Sequence, residues 1–229
     1  MVLPLLVLGD YHWVRRDGGK LPHPAFSCSG GEALSVRGFL FKYGGGVAFL
    51  GGWGAMVTAW YLGLSWEEIF WGSNVLPLWG WVLAFIGGAL LARLDIRVTR
   101  WLLRKGGYLV QNGEESKAQH LEKNETWFSV LAEAIKWAGI SFGEEGVRVG
   151  TIALLLTFLS GMSFVQSAIL VGILIGLLHI FYFNVFIVPT KTILHVILSI
   201  IFVNWGVLAS FVVHIAFNFS MIFDIEIEI

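Results

Sequence analysis

The stretch Ser141–Gly150, SFGEEGVRVG, decides how this chain is read, because it sets Glu144, Glu145 and Arg148 among residues that are otherwise almost entirely apolar. Three charges at mid-membrane would cost about 9 kcal/mol, against about 3 kcal/mol returned by the apolar residues that follow. Such a helix is not stable in bare lipid. Either the charges lie at an interface, or they face a hydrated, protein-lined cavity in which they pair. Glu144 and Arg148 stand at i and i+4 with the acid on the N-terminal side, which predicts an ion pair between them. A structural pair and a functional site are both open at this point.

The surrounding composition points to a membrane. Of the 229 residues, 56% are hydrophobic and 14% charged, and the mean hydropathy is +0.75. Soluble domains usually carry an apolar share of about 45–50%. The expected fold class is all-α, a polytopic transmembrane helical bundle with about six or seven spans of about 20 residues. The net charge of −1 gives no footprint for nucleic acid, and the single Cys28 excludes an internal disulfide framework. The opening MVLPLLVLG is too short for a span and has no basic region before it, so it reads as neither signal peptide nor membrane helix.

Spans are expected over residues 44–64 and 75–92. The first carries a glycine cluster (Gly44, Gly45, Gly46, Gly51, Gly52, Gly54) suited to close helix packing. Trp60, Trp66 and Trp71 around the intervening loop suit a membrane interface. Arg15, Arg16, Lys20, Arg37 and Lys42 precede the first span, and Arg93, Arg97, Arg100, Arg104 and Lys105 follow the second. The loop between has no Lys or Arg, so the N-terminus is expected in the cytoplasm, in a cell-membrane protein.

The expected organisation is an N-terminal cytoplasmic segment (1–43), two accessory membrane helices (44–93), a polar linker (94–125), a core (126–222) and a tail (223–229). The sequon at Asn124 reads as chance in a cytoplasmic linker. Within the core, punctuation predicts a segment to Gly139, a helix over 142–160, a turn at Gly161 and Met162, and a helix over 163–188 ended by Pro189. A short helix to Val203, a break at Asn204-Trp205-Gly206 and a last helix over 207–223 complete it.

Counting along these elements brings further polar groups to one depth. Glu144 and His179 each lie about 25 Å from the Gly161 turn, and His214 returns to within about one helical turn of that level. Asn218 stands at i+4 from His214, on the same face. Carboxylates, a guanidinium, imidazoles and an amide thus converge in an apolar bundle, as at a functional site. His195, close to Pro189 and Lys191, is expected at the interface and outside the site.

These residues resemble the CPBP family of intramembrane proteases, which includes CAAX prenyl endopeptidases and bacterial Abi immunity proteins. The resemblance covers about residues 126–222. It rests on Glu144-Glu145 with Arg148, on IGLLH ending at His179, and on the HxxxN of His214 and Asn218. The family's usual EExxFRG is here EEGVRVG, with the arginine one position early, a rotation of about 100° around a helix.

What the resemblance implies is an intramembrane endopeptidase in which Glu144 acts as general base on a water, helped by His179. His214 and Asn218 would stabilise the oxyanion, with Glu145 and Arg148 in support. No cofactor is expected, and the partners implied are the lipid bilayer and a lipidated or membrane-associated peptide, without nucleic acid. A divalent metal on Glu145, His179 and His214 is the competing enzymatic reading; no HExxH is present. A non-catalytic scaffold or immunity protein and a proton-coupled transporter are the non-enzymatic ones.

Overall fold

The computed structural model describes residues 14–15, 36–105, 108–109, 127–159, 161–181 and 188–222. The rest of the N-terminal segment, most of the linker with its sequon, and the tail lie outside the described residues. The architecture is all-α. Its helices are α1 (Val36–Tyr61), α2 (Trp66–Trp71), α3 (Leu78–Lys105), α4 (Trp127–Phe158), α5 (Phe164–Leu178) and α6 (Val188–Ile222), with a 3-10 turn over His179–Phe181. Two residue pairs, Val14–Arg15 and Tyr108–Leu109, form a minimal antiparallel strand contact.

Several expected boundaries move. No break occurs near Gly139, and α4 runs unbroken through Trp127–Phe158, because nothing in that stretch offers the backbone an alternative to the helix. The helix after the Gly161 turn ends at Leu178 rather than Val188, and Pro189 opens the next helix instead of closing this one. Proline suits the first turn, where its missing N–H has no partner to lose. The first part of the expected linker, residues 94–105, continues α3. The Gly161 turn is present, with φ +95°, and Ser163 and Gln166 form a capping box at the start of α5.

Among the described residues, one helix, Val188–Met221, is long and apolar enough to cross a membrane. It is not straight. Gly206 has φ +74° and ψ −178°, so α6 comprises a first limb (188–205) and a second limb (207–222). His195 and His214 would be about 28 Å apart in a straight helix. Their ring centroids are 5.9 Å apart, so the limbs run back alongside each other.

The break is met by α2 and the turn after it. Ser65 caps α2 with a capping box in which its backbone N–H and hydroxyl donate to Glu68, holding that carboxyl below its usual range. Ile69 of α2 is buried with Met56, Phe142, Val149, Ile152, Phe202 and Val207 in the main apolar cluster. Ser73 N–H donates to Val203 O at 3.2 Å and Asn74 N–H to Asn204 O at 2.8 Å, so carbonyls released by the kink find donors. A Cβ at Gly206 would collide with the Phe70 carbonyl while φ stayed in the left-handed region. Gly206→Ala is therefore expected to destabilise by about 1–3 kcal/mol, read as a lower midpoint in detergent thermal unfolding.

The α1 glycines act as anticipated at two positions. A Cβ on Gly45 or Gly52 would meet the α4 backbone at Lys136 or Gly143, and Gly139, Gly143 and Gly146 face α1 in return. The other four glycines of the cluster have open space. This backbone contact fixes α4, and with it the Glu144–Arg148 turn.

Candidate functional site

Arg148 is the centre of the polar network. Its guanidinium is fully buried, and each of its five N–H donors has an acceptor. Nε donates to Glu145 Oε2 and Nη2 to Glu145 Oε1, both at 3.0 Å, a two-pronged grip on the carboxylate. Nη1 donates to the His195 backbone oxygen at 2.8 Å and to Ser199 Oγ at 2.9 Å. The remaining Nη2 hydrogen faces His195 Nδ1 at 3.0 Å. Burying a charge is tolerable only when it is paired and hydrogen-bonded in this way. The expected Glu144–Arg148 pair is thus corrected to Glu145–Arg148, at i and i+3.

Arginine can only donate, so His195 Nδ1 must accept, which leaves the ring hydrogen on Nε2. His179 has the opposite arrangement: its Nδ1 lies 2.9 Å from the Ile175 carbonyl, which can only accept, so Nδ1 carries the hydrogen. Uniformly 15N-histidine-labelled protein should accordingly show an Nε2–H tautomer for His195 and an Nδ1–H tautomer for His179 in long-range 1H–15N spectra near neutral pH. The Nδ1–H form at His195 would contradict the network.

His214 lies between two carboxylates. Its Nδ1 donates to Glu145 Oε1 at 2.8 Å, and its Nε2 is 3.3 Å from Glu144 Oε2. With the Nδ1 hydrogen committed to Glu145, Nε2 is the His214 nitrogen placed to exchange a proton with Glu144. Glu145 is fully buried, whereas the Glu144 side chain is 24% exposed. One acid therefore holds the imidazole and the other is within reach of a ligand.

The structure brings together Glu144, Glu145, Arg148, His179 and His214 as their depths predicted. Asn218 stands one turn beyond His214 and donates to Ser141 Oγ at 2.9 Å; Ser141 in turn donates to Trp137 O. Its hydrogen-bond partner is thus Ser141, one turn before Glu145 on α4, rather than a member of the cluster itself.

His195 is the principal omission of the sequence reading. It is not interfacial but buried, with its ring 4.8 Å from that of His179 and 5.9 Å from that of His214. Counting from Gly206 would have found it, since His195 lies about eleven residues before the fold-back and His214 about eight after, within one helical turn of the same level. Ser199, one turn on, follows from the same argument. Lys191 is likewise buried, and its Nζ pairs with Asp95 Oδ2 at 2.7 Å.

Among the described residues, no group of three His, Cys, Asp or Glu side chains is arranged to hold a metal ion. In the set Glu145, His179 and His214, both Glu145 oxygens are already bonded to Arg148, and one also to His214. That donor set does not fit a metal in this arrangement. No family model, curated protein or solved structure matches the chain.

Proposed function

We infer that the chain is a polytopic membrane protein whose polar centre hydrolyses a peptide bond within or beside the bilayer. The membrane part rests on an inverted distribution of residues. Glu145, Arg148, His195 and His214 are buried, while Leu50, Trp79, Val82, Leu90, Ile135, Phe158 and Ile193 are exposed. A soluble protein has no solvent for so many large apolar side chains, whereas lipid accepts them. The loop charges support a cytoplasmic N-terminus, and a cell membrane is the location proposed.

The hydrolytic part rests on one observation: the Glu144–His214 pair, held from behind by Glu145. A water beside Glu144 gives its proton to the Glu144 carboxylate, steadied by His214, as its oxygen attacks the carbonyl carbon. The C–N bond then breaks, and the same carboxyl returns the proton to the leaving nitrogen. Glu145 and Arg148 keep the imidazole oriented. The His195 Nε2–H and the Asn218 amide are the donors for the developing oxyanion. His179 orients the water. This division of labour keeps Glu144 as base, as the CPBP resemblance implies, but moves His214 from the oxyanion to the side of Glu144 and gives its former place to His195.

The row of three imidazoles also favours a second reading, proton-coupled transport, in which these groups pass a proton. A fluorogenic prenylated CAAX peptide, added to purified protein in detergent, separates the two. Cleavage lost in Glu144→Gln and insensitive to chelator is the expected result. Equal inertness of folded wild type and variant would exclude processing of such peptides.

A further inference from the structure

A second polar feature lies one helical turn from this centre, on the side of α3. Asp95 of α3 and Lys191 of the first limb of α6 form a buried ion pair, with Lys191 Nζ 4.9 Å from the centre of the Phe217 ring. Asp95 Oδ2 takes the lysine, but Asp95 Oδ1 is buried with no hydrogen-bond partner. A buried acceptor left in this state is costly, and native structures seldom leave one without a reason. Asp95 also lines a cleft of about 80 Å³, with Thr190 among apolar residues including Leu94, Val98, Ile193 and Phe217. That is several times the space one water requires. Leu94 and Ile193, at the cleft, are 57% and 60% exposed, so it borders the apolar outer surface.

We propose that this cleft binds a membrane-borne aliphatic alcohol, its hydroxyl donating to Asp95 Oδ1 and its chain lying between α3 and the first limb of α6. Three chemical constraints select that class. A pure hydrocarbon would fill the apolar walls but leave Oδ1 unmet. An ammonium head would meet Oδ1 but add a charge to a pair that is already neutral, in a medium that solvates it poorly. A hydroxyl supplies a donor without charge. Position agrees: Arg93, Arg97 and Arg100 flank Asp95 in the sequence of α3, which places this part of the helix near an aqueous boundary, the depth at which a lipid hydroxyl lies.

The inference rests on the membrane reading and is independent of hydrolysis. Its test is photolabelling of the protein in nanodiscs with diazirine-bearing hexadecanol, followed by peptide mapping. Adducts should concentrate on residues 91–98 and 190–197. Unlabelled hexadecanol should compete about tenfold better than its methyl ether, which keeps the chain and loses the donor. Leu94→Trp and Ile193→Trp, at exposed positions outside the ion pair, should each narrow the cleft and reduce labelling while the protein stays folded. Adducts spread evenly over the outer faces of α1 and α3, equal competition by the ether, or stronger competition by hexadecylamine would overturn the proposal. Failure of the protein to incorporate into nanodiscs would overturn the membrane reading with it.

Discussion

Arg148→Ala is expected to lose about 3–5 kcal/mol of stability, the cost of leaving a buried carboxylate without its partner. The physical reason is the completeness of the network: Glu145, the His195 ring and carbonyl, and Ser199 all lose a donor together. Arg148→Lys should recover only part of the loss. An ammonium has three donors on a flexible stem and cannot hold both Glu145 oxygens while reaching two sites on α6. Thermal unfolding in detergent checks this, and a lysine variant as stable as wild type would show that charge rather than fork geometry matters.

The second large effect separates two neighbouring acids. Glu144→Gln is expected to reduce peptide hydrolysis by about 10²–10⁴-fold, the usual contribution of a general base, with little change in unfolding temperature. Its side chain is partly exposed and, among the described residues, its one ion-pair contact is with His214 Nε2 at 3.3 Å. Glu145→Gln should reduce activity and stability together, since that side chain holds Arg148 and His214 in full burial. The ratio of the two readouts distinguishes a reacting carboxylate from one that positions its neighbours. Equal loss of stability in both variants would contradict the assignment.

Most of the polar centre was legible because helix geometry turns residue number into depth. Glu144, His179 and His214 could be levelled against one another once the turns at Gly161 and Gly206 were located, and both turns are present. Facing was less legible than depth. The i,i+4 spacing suggested Glu144 as the partner of Arg148, but rotation of α4 against α1 is set by backbone contact at Gly139, Gly143 and Gly146, which turns Glu145 inward. His195 was misplaced because proximity to Pro189 and Lys191 looked like a helix end at water, whereas Asp95, from an element outside the expected core, draws Lys191 inside. Helix continuity was similarly hidden: Gly139 and Pro189 look like stops, yet one is packed within a helix and the other opens one.

The fold-back at Gly206 also bears on how the protein is made. Synthesis proceeds from the N-terminus, so Glu145 and Arg148 emerge well before His195 and Ser199, and His214 comes last of the group. Until both limbs of α6 have been delivered, the α4 charges have only each other, and the arginine's remaining donors are unmet. Ordering of the polar centre is thus an event that waits for delivery of the second limb of α6. Nascent chains stalled before the second limb should be protease-sensitive, whereas chains that extend through His214 should abruptly become protease-resistant.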